Sequence, residues 1–181
     1  MHLQFSGVLH KVTSVTVPYC VFVHMHEWNV IVYLSFWHLR PSGPQYSKMK
    51  RYCENAKKVA EFFKTSDKIA SVSYPGLEGD KYFDLAQKYL PEGTCGVVSI
   101  SIKGGRQAAV RFMDALKLAS DEVHVADIRT CVLHPASATH RQLTDEQLVA
   151  AGIDGGMVRF SCGLENIDDI IADIKLGLAA I

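Results

Sequence analysis

Between Ser47 and Ile181 the chain switches repeatedly between helical and strand-like spacing of its apolar residues, and each switch carries its own stop signal. Only a domain that layers helices on a sheet satisfies such a pattern, because every amphipathic face needs another to bury it. Residues 47–64 read as a helix, with Met49, Tyr52, Ala56, Val59, Ala60 and Phe63 near one face. Residues 69–72 form a short strand closed by the turn residues Tyr74-Pro75-Gly76. A second helix over 81–90 stops at Pro91 and Gly93. Residues 95–102 alternate Gly96, Val98, Ile100 and Ile102 with Val97, Ser99 and Ser101, which predicts a strand with one buried face.

Gly104-Gly105 then turns into a third helix striped by Ala109, Phe112, Met113, Leu116 and Ala119. Short strands are expected at 123–125 and 131–133. Thr144-x-x-Gln147 is a capping box opening a short helix that Gly152 ends. A further strand covers 157–162. Asn166-x-x-Asp169 opens the last helix, with Ile167, Ile170, Ile171, Ile174 and Leu178 on its buried face. The expectation is an α+β domain: a small, mostly antiparallel sheet with helices on one face.

The first 46 residues are different, and a boundary is drawn between 1–46 and 47–181. They hold only three Asp, Glu, Lys or Arg side chains, Lys11, Glu27 and Arg40, but five of the eight histidines and both tryptophans. A secretory signal would need a basic start, which Met1-His2-Leu3-Gln4-Phe5 lacks. Residues 12–23 are apolar and β-branched, and 30–37 continue that character. His24, His26, Glu27 and Asn29 interrupt the run before it reaches about 18 residues, so no membrane span is expected. Val15, Val17, Val21 and Val23 favour a strand. On that strand His24 and His26 would share a face, as metal ligands could, but no third ligand stands at a matching spacing and no metal is assigned.

Nineteen basic and nineteen acidic side chains cancel, so no global field draws the chain to nucleic acid or an anionic membrane. Five cysteines, Cys20, Cys53, Cys95, Cys131 and Cys162, are odd in number, widely spaced and without a CxxC pair. They fit small buried apolar residues in a reducing, cytoplasmic setting better than a disulfide framework or a zinc site.

No nucleophile elbow, phosphate-binding loop, dinucleotide fingerprint or HExxH motif is present. Gly104-Gly105-Arg106 could hold an anion on free backbone N–H groups, or be a glycine turn with a solvated arginine. His134-Pro135-Ala136-Ser137-Ala138-Thr139-His140 gathers two histidines and two hydroxyls. Its histidines could move protons, yet no carboxylate at fixed spacing orients either ring, and a structural loop fits equally. Arg159 lies inside the apolar strand Met157-Val158-Arg159-Phe160. There its planar fork suits a carboxylate, unless the side chain simply points outward from an edge strand.

From about Ser47 on, some three quarters of the chain, the sequence resembles the C-terminal part of the Cys/Met-metabolism enzymes that use pyridoxal phosphate. The matching segments begin with Arg51-Tyr52-Cys53-Glu54-Asn55-Ala56, Val72-Ser73-Tyr74-Pro75-Gly76-Leu77 and the 134–140 loop. Met157 to Glu165 and Ile167-Asp168-Asp169 complete them. Lys103-Gly104-Gly105, Val125-Ala126-Asp127 and residues 142–148 look most like the O-acetylhomoserine sulfhydrylase branch.

The resemblance implies the C-terminal-domain fold of fold-type I pyridoxal-phosphate transferases. It implies a γ-replacement with sulfide or a thiol on an amino-acid substrate with a free carboxylate. A methionine γ-lyase or a cystathionine lyase or synthase is the alternative. Arg159 falls on the arginine that binds the substrate's carboxylate, with Val123, His124 and Thr139 lining the same end. His124 stands where several members have serine or asparagine, and Ala126 where glycine is common.

The family's Schiff-base lysine, its aspartate under the pyridinium nitrogen and its phosphate-binding residues have no match here. No catalytic or cofactor-binding residue is therefore assigned, and the chain alone is expected to be inactive. Residues 12–40 do not resemble the missing domain and read as translated non-coding sequence or a wrongly chosen start. Since the family forms homotetramers, a homo-oligomer or a complex with a full-length paralogue is a further expectation. So is a small-molecule-binding domain that keeps only the carboxylate site.

Overall fold

A computed structural model describes Tyr19–Val23, Val32–Phe36 and residues 44–181. Strands β1 (Tyr19–Val23) and β2 (Val32–Phe36) form an antiparallel ladder from Tyr19↔Phe36 to Val23↔Val32. The strand expected from the valines is thus present at Val21 and Val23. The His24/His26 pair lies outside the described residues.

Helix α1 (Pro44–Lys64) is three residues longer at its start than the periodicity predicts. Proline at a first helical position gives up no hydrogen bond that the helix would have made. Tyr52, Ala56, Val59, Ala60 and Phe63 are buried along its inner face. After it come β3 (Ile69–Ser73) and the short α2 (Phe83–Tyr89). The start of α2 is held by Asp80, whose carboxylate accepts from the backbone N–H of Tyr74 at 3.0 Å and of Tyr82 at 2.9 Å. Next are β4 (Val97–Ile102), α3 (Gly105–Asp114), β5 (Ser120–Asp121) and β6 (Cys131–Leu133). Helix α4 (Asp145–Ala150) carries the expected reciprocal cap between Thr144 and Gln147. Strand β7 (Met157–Ser161) and α5 (Ile167–Ala179) complete the chain, with Asn166 capping α5.

The sheet runs β3-β4-β7-β6-β5. Its first three pairings are antiparallel, while β5 joins β6 in parallel. The sheet is therefore mixed, which corrects the mostly antiparallel expectation. The cause is the position of β5, which pairs through Ser120 and Asp121 rather than through 123–125. Residues 123–125 are loop, because the last ladder bond on this edge runs from the N–H of Glu122 to Val132 O (3.0 Å) and the chain then turns away.

Helices α1, α3 and α5 pack against the face bearing Val98, Ile100, Ile102, Val158 and Phe160. Three rings knit these layers: Phe63 of α1 lies 5.2 Å from Phe160 of β7, and Phe112 of α3 lies 6.0 Å from it, centroid to centroid. Such tilted pairs add to plain area burial. Asp173, buried in α5, accepts from the N–H groups of Lys117 (2.6 Å) and Ala119 (2.9 Å), so the chain after α3 is tied to the last helix.

Strand β4 is buried on both faces, not one. It lies inside the sheet, and its second face, bearing Val97, Ser99 and Ser101, is also covered. There Ser101 Oγ hydrogen-bonds the Asp154 carboxylate, and a small apolar cluster of Ala136, Leu148, Ile153 and Met157 packs beside the sheet. This second, hydroxyl-bearing face carries Arg159.

Candidate functional site

In the β4–β7 register Ser99 stands opposite Arg159, Val97 opposite Ser161 and Ser101 opposite Met157. Because side chains alternate, Ser99, Ser101, Arg159 and Ser161 share the face turned away from the helices. Arg159 lies between β4 and β6, opposite Ser99 on one side and Leu133 on the other, so it is not an edge-strand arginine. It is half-buried, and its Nη2 donates to the carbonyl oxygen of Val123 at 2.7 Å.

That carbonyl belongs to the loop after β5. The loop is fixed by Ala126, which sits at φ +57°. The Ala126 N–H donates to Ser161 Oγ (3.1 Å), and its carbonyl accepts from the Tyr52 hydroxyl (3.4 Å). The αL conformation is costly for a residue with a Cβ, so glycine would hold this turn with less strain.

The other predicted site residues are placed differently. The exposed His124 follows Val123, but its Nδ1 pairs with the Glu122 carboxylate at 2.7 Å. Glu122 also receives Arg129 at 3.2 Å. Thr139 is exposed, and its hydroxyl meets His140 Nδ1 at 2.9 Å. Arg159 and Val123 are thus brought together directly, His124 by chain adjacency, and Thr139 by no described hydrogen bond.

The first histidine of the 134–140 loop is structural. His134 is buried, its Nε2 lies 2.8 Å from Gly155 O and its Nδ1 2.8 Å from Ser137 Oγ. A carbonyl can only accept, so Nε2 carries the proton and, in the neutral ring, Nδ1 accepts from the serine. Burial holds its pKa below the ordinary histidine value, against the opposing pull of the Gly155 hydrogen bond. Arg106 donates to Ala136 O at 2.9 Å, so its guanidinium anchors this loop.

A polar knot that sequence reasoning missed binds the Gly163-Leu164-Glu165 turn. Asn55 donates to the carbonyls of Gly163 (2.9 Å) and Glu165 (3.1 Å), and Arg51 to Glu165 O (3.2 Å). The Glu165 carboxylate accepts from the Thr130 N–H (2.6 Å) and hydroxyl (3.0 Å), and that hydroxyl accepts from the Gly163 N–H (3.0 Å). Two segments that matched the family, 51–56 and 157–165, therefore hold each other. Asn55, a polar residue beside the apolar stripe of Tyr52, Ala56 and Val59 and four residues after Arg51, was the available signal.

The four described thiols are quiet. Burial pushes Cys53 up to about 12 and Cys95 up to about 11, and raises Cys131 and Cys162 as well. Among the described residues no group of three or more His, Cys, Asp or Glu could hold a metal, and no helix is long and apolar enough to cross a membrane. A Schiff-base lysine needs a desolvated amine beside its cofactor. Every described lysine is exposed except the half-buried Lys68, whose amine is spent on the carbonyls of Leu178 (2.8 Å) and Ile181 (2.7 Å). The described lysines therefore do not fit the Schiff-base position of a pyridoxal phosphate site.

Against known proteins, the model of the Cys/Met metabolism PLP-dependent enzyme family matches residues 46–179. The O-acetyl-L-homoserine sulfhydrylase of Leptospira meyeri is 46% identical over 72% of this chain and 30% of its own length. The L-methionine gamma-lyase of Fusobacterium nucleatum subsp. polymorphum is 45% identical over 74% of this chain and 34% of its own. A Campylobacter jejuni crystal structure assigned as an O-acetylhomoserine (thiol)-lyase, carrying a pyridoxyl-lysine monophosphate, superposes with a TM-score of 0.69 at 36% identity. It covers 74% of this chain and 32% of that one. The chain thus spans about a third of the length of these relatives. It belongs to the Cys/Met metabolism family of pyridoxal-phosphate-dependent enzymes.

Proposed function

We propose that residues 47–181 are the substrate-binding, C-terminal part of an O-acetylhomoserine sulfhydrylase-type enzyme, which replaces an acetoxy group by sulfide or a thiol. The observation that supports this is Arg159: a half-buried guanidinium on an inner strand, with one terminal nitrogen on the Val123 carbonyl. A cation placed there binds and orients the α-carboxylate of an amino-acid substrate through charge-assisted hydrogen bonds. On this reading Val123, whose carbonyl meets Arg159, borders the carboxylate, and His124 and Thr139 are assigned to the same end by the resemblance alone. The replacement chemistry itself is supplied by pyridoxal phosphate in the part of such enzymes that this chain does not span, so the chain acts by holding substrate.

The exposed apolar side chains of Val123, whose carbonyl meets Arg159, and of Ile128 further along the same loop support a second element of the reading. They leave this side of the domain open to the remaining part of an enzyme, including one supplied by a full-length paralogue or by a homo-oligomer. Co-purification with such a paralogue is the expected outcome, and a strictly monomeric chain counts against it.

The functional reading is tested by replacing the matching third of the Leptospira meyeri sulfhydrylase with residues 47–181. The chimera is expected to make homocysteine from O-acetyl-L-homoserine and sulfide. A folded, cofactor-loaded chimera that instead only eliminates methionine would move the assignment to the γ-lyase branch.

A further inference from the structure

Three serine hydroxyls line the sheet face that carries Arg159. Two are engaged: Ser101 with the Asp154 carboxylate and Ser161 with the Ala126 N–H. The third, Ser99, is 5% exposed, and its Oγ is buried without a hydrogen-bond partner. Ser99 is also the residue directly opposite Arg159 in the β4–β7 register. Opposed residues of an antiparallel pair share a face with their Cβ atoms roughly 4.5–5.5 Å apart. A buried hydroxyl left unpaired is costly and calls for an explanation.

We propose that Ser99 is a positioning residue for Arg159: its hydroxyl accepts a guanidinium N–H and donates its own proton to the carboxylate that Arg159 holds. This rests on the carboxylate reading above. An arginine side chain can only donate and a carboxylate can only accept, whereas a hydroxyl does both, so serine is suited to bridge the two. In the unliganded chain Nη2 is turned to Val123 O. Arrival of the anion gives Ser99 the partners it lacks.

The test uses the full chain with nitrogen-15 arginine, titrated with acetate at constant ionic strength and with chloride as the control anion. A single guanidinium, half-buried and without the rest of a substrate site, binds acetate weakly, with Kd on the order of 10–100 mM. The Arg159 side-chain signals are expected to shift with acetate and not with chloride. Ser99→Ala is expected to weaken that response about five- to tenfold, Ser99→Thr to restore it within twofold, and the melting midpoint of Ser99→Ala to stay unchanged or rise.

A wild-type shift that Ser99→Ala leaves within twofold overturns the role of Ser99 while sparing the carboxylate reading. So does a lowered melting midpoint with disturbed β4 and β7 signals, which marks a merely structural hydroxyl. No Arg159 response to acetate in the wild type overturns both.

Discussion

The guanidinium of Arg159 donates to the carbonyl of Val123 across 2.7 Å, joining an inner strand of the sheet to the exposed loop that follows β5. The loop's shape and the arginine's aim are therefore one structural fact, and changes to either reach the other.

Ala126 supplies the first consequence. It holds φ +57°, pinned by Ser161 and Tyr52. The αL conformation costs an L-residue about 1–2 kcal/mol, and glycine returns part of that through its freer unfolded chain, about 0.5–1 kcal/mol. Ala126→Gly should thus stabilise the domain by about 0.5–1 kcal/mol, read from urea unfolding. Destabilisation of that size would show that the methyl group packs usefully here.

Gly163 is constrained by space rather than by φ. A Cβ there would run into the backbone of Ile128 and Arg129 and into the Glu165 carboxylate, all within the polar knot. Gly163→Ala should cost about 3 kcal/mol or more, or prevent folding. Gly105, at φ +65° with open space around its Cβ position, should cost only about 1 kcal/mol on the same change. Equal effects at the two positions would contradict this assignment.

His134 predicts a pH dependence. Burial lowers its pKa in the folded state, so the unfolded chain binds more protons between the folded value and the ordinary value of about 6.5. Stability from this group is complete above about pH 6.5 and is lost as pH falls through the folded value. Urea midpoints should therefore rise from pH 5 to pH 7.5 more steeply in the wild type than in His134→Gln. Identical slopes would remove His134 as the cause.

The helices and inner strands were legible because their apolar periodicity matches their burial: Ala56, Val59, Ala60 and Phe63 on α1, and Ile170, Ile174 and Leu178 on α5. Caps at Thr144 and Asn166 were legible for the same local reason. What local patterns could not show was pairing. The parallel β5 and the two-sided burial of β4 depend on which segments lie across the sheet. Arg159 stood out as a charge in an apolar strand, but only the β4–β7 register sets Ser99 opposite it. Thr139 and His124 entered through resemblance alone, and here their side chains turn to His140 and Glu122.

The most direct measurement of the central claim is the kinetics of Arg159→Ala in the sulfhydrylase chimera. Loss of a charge-assisted carboxylate contact worth about 2–3 kcal/mol should raise KM for O-acetyl-L-homoserine about 30- to 150-fold, with a smaller fall in kcat. Arg159→Lys should fall between, keeping the charge and losing the fork. KM and kcat both within twofold of the unmutated chimera would contradict Arg159 as the group that holds the substrate.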